Sequence, residues 1–211
     1  GVLLFVRAGS LDPVNAENNK DTDFLSDVYF YSPFGKEYDF VLYNCYIRIQ
    51  GTSSTKYPRK NYRIYFAKGT NPILFINGIE QTAVDSKGKR KNKYHMRPGS
   101  IPMNLFCMKC DFSDSSLTHN TGGAKLFNGL FIELELLTPP QKIDSNIRAS
   151  IDGFPIDIFA AETIDSEPQY YGQYNFNNEK SNSGPLFGME DVEGAEWACP
   201  ITFEFLNNMQ K

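Results

Sequence analysis

The sequence predicts an α+β domain in which strands dominate. Three features indicate this class: the aromatic content, a series of short strand-like runs, and two tight-turn signals. Of the 211 residues, 41% are hydrophobic and 14% are aromatic, with 17 Phe and 12 Tyr. Phe and Tyr suit pleated, half-buried surfaces, so this composition favours strands over helices. The apolar content is ample for a packed core and unlike that of a disordered chain.

Short runs rich in β-branched and aromatic residues predict the strands in chain order. They cover residues 1–7, 27–32, 40–50, 61–67, 72–76, 104–111, 147–151 and 155–160. Asn77-Gly78 suits a type I′ hairpin turn, and Asp152-Gly153 repeats the signal between two apolar runs. We therefore expect a strand-rich antiparallel sheet with hairpins at both places.

Few helices are predicted. Asp114, Ser115 and Ser116 carry capping side chains and predict a helix over residues 115–127, although Gly122-Gly123 weakens its middle. Residues 198–208 predict a short helix near the end of the chain. We interpret residues 1–211 as one domain. Because the chain does not begin with Met, we expect it to be a fragment of a larger protein.

Charge and cysteine content exclude several classes of protein. The formal net charge of −4 argues against a general nucleic-acid binder. No run approaches the roughly 18–20 apolar residues of a membrane span, and residues 1–6 predict a strand rather than a signal peptide. Cys107 and Cys110 have metal-like spacing, but a structural zinc site needs a second ligand pair. We therefore expect no metal, and we expect Cys45, Cys107, Cys110 and Cys199 to be buried and free.

The most informative segment spans residues 48–64. Arg48 precedes a Gly-Thr-Ser-Ser turn at residues 51–54, and the returning strand carries Lys60 and Arg63. Backbone amides of such a turn can form an anion-binding nest that Arg and Lys complete. The alternative is a hairpin whose hydroxyls satisfy the turn backbone and whose cations are solvated. The residues alone leave both interpretations open.

A second segment, residues 107–120, places Lys109 and Asp111 at a strand end before a capped helix. Together, the two segments resemble the spore-coat CotH family of kinase-like domains over about residues 40–180. The matching residues are Gly51, Ser53, Ser54, Pro58, Lys60, Tyr62 and Arg63 in the first segment and Lys109, Asp111, Asp114, Ser115, Ser116 and Asn120 in the second. This chain departs from the family pattern at Thr52, Arg59 and His119, where the family usually has Asn, Lys and Arg.

The resemblance implies a fold like the N-terminal half of a CotH-like kinase. As an enzyme, the domain would use Lys60 or Arg63 on the phosphates of ATP, with Ser53 and Ser54 lining the anion loop. Asp111 and Asp114 would orient the site, while Arg48 and Lys109 are further candidates for anion binding. Phosphoryl transfer also needs Mg²⁺ held by a carboxylate, and the later part of the chain shows no recognisable catalytic-loop pattern. We therefore expect no catalytic residue and no cofactor; ATP and Mg²⁺ belong only to the kinase alternative.

Four later segments cover residues 151–156, 171–181, 187–189 and 203–208. In this order they resemble CotH-like domains of bacteriophage tail or appendage proteins and of bacterial surface proteins. This resemblance implies a non-catalytic structural or adhesion module, located in a virion or at a cell surface. Its partners would be other subunits or domains of the assembly, or host-surface carbohydrate or protein. In that role Arg48, Lys60, Arg63 and Asp114 would hold the Gly-Thr-Ser-Ser loop to the following helix through buried ion pairs and caps. The further structural or orienting residues would be Gly51, Asp111, Ser115, Ser116 and Asn120. The Asn-rich aromatic strand at residues 174–178 suits either a partner surface or an internal sheet.

The alternative function is an atypical ATP-dependent protein kinase whose catalytic half is missing from this chain. A hydrolase finds little support, because no Gly-x-Ser-x-Gly or His-Glu-x-x-His motif occurs and the chain has only two His.

Overall fold

Eight strands and one longer helix make up the described part of the chain. The computed structural model describes residues 1–6, 21–51, 53–117, 119–137, 141–142, 144–148 and 150–179. The strands are β1 (Val2–Val6), β2 (Phe24–Tyr31), β3 (Phe40–Gln50), β4 (Asn61–Ile76), β5 (Ile79–Glu80), β6 (Leu105–Lys109), β7 (Gly153–Ala161) and β8 (Gln169–Asn178). The helix α1 spans His119–Glu133, and short 3-10 turns occupy Lys36–Tyr38 and Ser53–Lys56. The strand-rich α+β class is confirmed.

Seven of the strands close into a barrel. Their order is β3-β2-β1-β7-β8-β6-β4, and β4 pairs back onto β3. Every junction is antiparallel except that between β1 and β7, which is parallel. A closed ring with an odd number of strands cannot reverse direction at every junction. The sheet is therefore mixed. The sequence predicts an antiparallel sheet, and this prediction is wrong at the β1–β7 junction.

The barrel interior is packed with aromatic rings. Side chains alternate across each strand, so every second residue points inward and the others face out. Phe106 is fully buried, and its ring centroid lies 5.0 Å from Phe176, 5.1 Å from Phe66 and 5.7 Å from Tyr94. The Tyr94 hydroxyl donates a 2.7 Å hydrogen bond to the Tyr38 carbonyl. Many of the aromatic side chains of the sequence thus pack together in one core inside the barrel.

Strand β4 is one strand of 16 residues, whereas the sequence predicts two strands separated at residues 68–71. The β3–β4 register shifts on either side of Cys45. At that point a Cβ on Gly69 would lie 1.9 Å from the Asn44 carbonyl oxygen, so only glycine allows this approach. Asn44 and Asn71 take positive φ angles of 55° and 52°, which Asn tolerates. The irregular residues form a bulge within one strand rather than a break.

The two hairpin signals have different outcomes. Asn77 and Gly78 have φ angles of 49° and 75° and join β4 to β5, so this hairpin is confirmed. The prediction of a hairpin at Asp152-Gly153 is wrong. Gly153 begins β7 and lies opposite Asn177, whose side-chain oxygen would be 1.8 Å from a Cβ at this position. Here the glycine permits close approach between strands instead of a turn.

The strand predicted at residues 147–151 is also wrong. This segment is a connection, and the Ile147 N–H bonds to the Asp144 carbonyl in a turn. Ile147 is nevertheless buried, so its apolar character reflects packing of a loop residue. A short apolar run does not by itself distinguish a strand from a buried connection.

Helix α1 begins and ends later than the sequence predicts. Residues 114–117 instead form a turn, closed by a 3.0 Å hydrogen bond from the Leu117 N–H to the Asp114 carbonyl. The predicted helix at residues 198–208 lies outside the described residues. None of the helices in the described part of the chain combines the length and apolarity that a transmembrane span requires.

Candidate functional site

The outer face of the barrel brings several of the predicted site residues together. In the strand register, Arg48 of β3 lies opposite Arg63 of β4, and Arg63 lies opposite Cys107 of β6. Cys107 in turn lies opposite Asn177 of β8. Since these residues alternate with inward-facing core residues, their side chains share the outer face. Two predicted anion-binding residues, Arg48 and Arg63, are therefore neighbours on this surface.

Arg63 is neutralised by a protein carboxylate. Its Nη2 lies 2.7 Å from Oε2 of Glu179, whose side chain is only 2% exposed. Burial opposes the charge on Arg63, but a hydrogen bond with Tyr65 and the negative charge of Glu179 raise the pKa of the guanidinium. Arg63 therefore remains a cation whose charge is balanced inside the protein.

Cys107 donates its thiol hydrogen to the same Glu179 oxygen, over 2.8 Å. Burial raises the pKa of Cys107 to about 12, and the charge of Glu179 and this hydrogen bond add to the effect. The thiolate, not the thiol, is the nucleophile and the metal ligand. Cys107 is therefore unreactive at neutral pH. Cys45, Cys107 and Cys110 are buried and free, as predicted, whereas Cys199 lies outside the described residues.

The other predicted cations also have protein partners. Arg48 Nε lies 2.7 Å from Asp23 Oδ1 at a partly exposed position. Lys109 Nζ donates to Oε1 of Gln50. Lys60 Nζ donates to the carbonyls of Thr55 and Tyr57, each over 2.6 Å. Lys60 thus closes its own loop and does not lie on the outer face with Arg63.

The Gly-Thr-Ser-Ser turn is held by contacts within the chain. Gly51 has a φ of 129°, and a Cβ there would lie 2.1 Å from Oγ of Ser54. The Asn61 side chain donates to Ser54 Oγ over 3.4 Å and accepts from the Cys110 N–H over 2.9 Å. Ser53 begins the 3-10 turn, but Thr52 and the Ser53 side chain lie outside what the structure describes. Asn61 therefore joins the two predicted segments through the turn and the end of β6.

The predicted orienting residues form a hydrogen-bonded junction at the start of α1. Asp111 accepts from Asn120 over 2.7 Å and from Asn175 over 3.1 Å. Asp114 accepts from Ser116 and from the His119 N–H, over 2.8 Å and 2.7 Å. Ser115 is exposed. These carboxylates are engaged in holding the helix to β6 and β8.

The Asn-rich aromatic strand belongs to the internal sheet and not to a partner surface. Tyr174 and Phe176 point into the core and are 2% and 0% exposed. Asn175 and Asn177 face outward under α1, where the Thr121 hydroxyl donates to Asn177 over 3.5 Å. Of the two alternatives left open by the sequence, the structure shows the internal sheet.

Sequence reasoning missed a cleft of about 430 Å³ between α1 and residues 148–154. Arg97, Lys125 and Arg148 line it, together with Asp152 and an apolar wall. Arg97 pairs with Asp152, whereas Lys125 and Arg148 have no hydrogen-bond or ion-pair partner within the described part of the chain. The three cations are far apart in sequence, so no local motif signals this site.

Sequence reasoning also missed an exposed apolar face on α1. Leu126, Phe127 and Leu130 are 66%, 45% and 45% exposed, and Leu134, just beyond the helix end, is 61% exposed. At 3.6 residues per turn these side chains and half-buried Phe131 lie on one side of the helix. We call these five residues the α1 apolar face. Their spacing is readable in the sequence, but a helix predicted to end at residue 127 conceals it.

The described residues contain no group of three or more His, Cys, Asp or Glu side chains placed to hold a metal ion. Comparisons with known proteins add no relative to this description. No family model, no curated protein and no solved structure matches the chain.

Proposed function

We propose that this chain is a non-catalytic structural or adhesion module that binds a neighbouring protein subunit of a larger assembly through the α1 apolar face. The observation that carries the proposal is the exposure of Leu126, Phe127, Leu130 and Leu134 along one side of the helix. Contiguous exposed apolar surface of this kind is typical of interaction sites. Of the α1 residues, only Thr121 is buried, so the helix contributes little to the core.

The chemistry of α1 favours a protein partner over a lipid surface. Helices that lie on membranes carry a Lys- and Arg-rich polar face opposite their apolar face. In α1 the sole cation of that type is Lys125, and Glu133 offsets its charge. The ring centroids of Phe127 and Phe131 lie 4.5 Å apart, and the two rings form a tilted aromatic pair. Aromatic anchors of this kind commonly dominate the energy of protein–protein interfaces.

The protein partners of the predicted anion-binding cations support a non-catalytic role. Arg63 is neutralised by Glu179, Lys60 is bound by loop carbonyls, and Lys109 donates to Gln50. Each of these cations would have to leave a protein partner before it could bind a phosphate. We propose that the segments resembling CotH-like domains serve here to hold the fold. Location in a virion or at a cell surface is part of the same proposal.

The test compares the double variant Leu126→Gln/Leu130→Gln with Ile79→Gln in the native source of the protein. Ile79 is a matched control, because it is 66% exposed like Leu126 but lies on β5. We expect the wild type and the control to sediment with a large particle. The double variant should remain in the soluble fraction with an unchanged thermal unfolding midpoint, since exposed side chains contribute little to folding.

Two results would overturn the proposal. One is equal sedimentation of the double variant and the control. The other is Mg²⁺-dependent phosphorylation by the intact parent protein, lost on Lys60→Ala substitution, which would establish the kinase alternative instead.

A further inference from the structure

We propose that residues 186–197 of this chain bind in the cleft between α1 and residues 148–154, which we call the cationic cleft. These residues lie outside the described part of the chain, so the inference depends on the cleft, on where β8 ends and on the chemistry of the segment. The site is separate from the α1 apolar face. Lys125, Asn128 and Ile132 line the cleft from the opposite side of the helix.

The cationic cleft has an excess of positive charge beside an apolar wall. Its three cations are Arg97, Lys125 and Arg148, and Asp152 balances only Arg97. The wall includes Phe34 and Phe154, whose ring centroids lie 5.0 Å apart in an edge-to-face contact. A ligand that fits this cleft therefore combines carboxylates with aromatic or aliphatic side chains.

The chain leaves the barrel at the edge of the cleft. Asn178, the last residue of β8, accepts a 2.9 Å hydrogen bond from the Asp152 N–H through its side chain. Its own N–H donates to the Asp152 carbonyl over 3.1 Å. Asp152 is itself part of the cleft wall. The twelve residues from Asn178 to Glu190 reach about 40 Å when extended, so the tether is long enough to fold back.

The segment has the chemistry that the cleft requires. Residues 181–210 contain no Lys or Arg, and four of their carboxylates fall within seven positions: Glu190, Asp191, Glu193 and Glu196. Phe187, Met189 and Trp197 flank this acidic run. Because only a short connection links the segment to β8, its effective local concentration at the cleft is on the order of millimolar, so even weak charge pairing populates the bound state.

Trp197 provides the measurement, because it is the single Trp of the chain. We would measure acrylamide quenching of its fluorescence in the full chain. The variant Lys125→Glu/Arg148→Glu reverses the free cations of the cleft. Lys87→Glu/Lys91→Glu is the matched control, because both lysines are exposed and neither lines the cleft. We expect strong shielding of Trp197 in the wild type and the control. In the cleft variant, quenching should rise toward its value in concentrated urea.

A charge swap keeps the test decisive if the cleft variant perturbs folding. The double variant Glu190→Lys/Glu193→Lys should by itself expose Trp197 to acrylamide. The quadruple variant, which adds Lys125→Glu and Arg148→Glu, should restore the shielding. In the wild type, about 1 M salt should weaken the shielding, because the Debye length falls to about 3 Å.

Three results would overturn the proposal. They are a Trp197 that is fully quenchable in the wild type, shielding that the cleft variant leaves unchanged, and shielding that depends on protein concentration, which would make a second copy the occupant. None of them bears on the α1 apolar face, whose test uses different residues.

Discussion

At the scale of single residues, the Arg63–Glu179 pair is the main polar feature of the outer barrel face. Glu179 is almost fully buried and also accepts the Cys107 thiol, so one carboxylate serves two partners on two neighbouring strands. Removing one member of a buried pair leaves the other charge without compensation. Arg48 and Asp23 make a similar contact at a partly exposed position, where water screens the charges. Similar distances therefore carry different energies.

We expect Glu179→Gln to lower the free energy of unfolding by about 2–3 kcal/mol, because Arg63 keeps its charge without a carboxylate. The matched variant Asp23→Asn should cost less than about 1 kcal/mol. Urea unfolding of both variants measures the difference. Equal losses would show that the burial of Glu179 has no energetic consequence.

At the scale of elements, the start of α1 depends on the Asp114 carboxylate. Its hydrogen bond with the His119 N–H, and its bonds with the His119 side chain and Ser116, hold the pKa of Asp114 well below its ordinary value. A carboxyl group whose pKa falls on folding stabilises the native state above its unfolded pKa of about 3.9. That contribution disappears as the pH falls through the lower, folded value. Helix α1 should therefore lose its start in strong acid.

We expect Asp114→Ala to lower the thermal unfolding midpoint at pH 7, because it removes the acceptor for the His119 N–H. The difference in unfolding midpoint between variant and wild type should narrow as the pH falls well below 4, because protonation of Asp114 then weakens the same hydrogen bonds in the wild type. Ser115→Ala is the control and should leave the midpoint unchanged, since Ser115 is exposed. Thermal unfolding followed by circular dichroism at several pH values tests this, and a constant gap would contradict it.

At the scale of the whole molecule, barrel closure explains why one aromatic core serves strands distant in sequence. Phe106 of β6 contacts rings from β4 and β8 and from Tyr94 in the connection before β6. Removing a ring at such a position loses contacts to several strands and leaves a cavity. The unfolding of the barrel should therefore be one cooperative event.

We expect Phe106→Ala to lower the free energy of unfolding by about 3–5 kcal/mol, while keeping a single transition. Tyr31→Ala is the control, because Tyr31 is 61% exposed on β2; its cost should stay within about 0.5 kcal/mol. Chemical denaturation followed by both near-UV circular dichroism, which reports aromatic packing, and far-UV circular dichroism, which reports strand content, measures this. Separate transitions for the two signals would show that parts of the barrel unfold independently.

Local sequence determined the class of the fold and much of its strand content. Period-two alternation places β3 at Phe40–Gln50, the bounds that the sequence predicts. Asn77-Gly78 predicts its hairpin because both residues tolerate positive φ. The turn at Gly51 and the carboxylate of Asp114 could likewise be singled out, because glycine and capping residues have local conformational roles. These features depend on a few consecutive residues.

Only the tertiary structure decided how those elements combine and which charges remain available. Closure into a seven-stranded ring requires the parallel β1–β7 junction, which no local pattern encodes. Glu179 neutralises Arg63 across 116 residues of sequence, and the cationic cleft gathers Arg97, Lys125 and Arg148 from three separate segments. The segment around residues 48–64 therefore suggested an anion site from its own cations, whereas the folded chain supplies their partners from elsewhere. Charge balance is a property of spatial neighbours, so the sequence could identify the cations but not whether they were free.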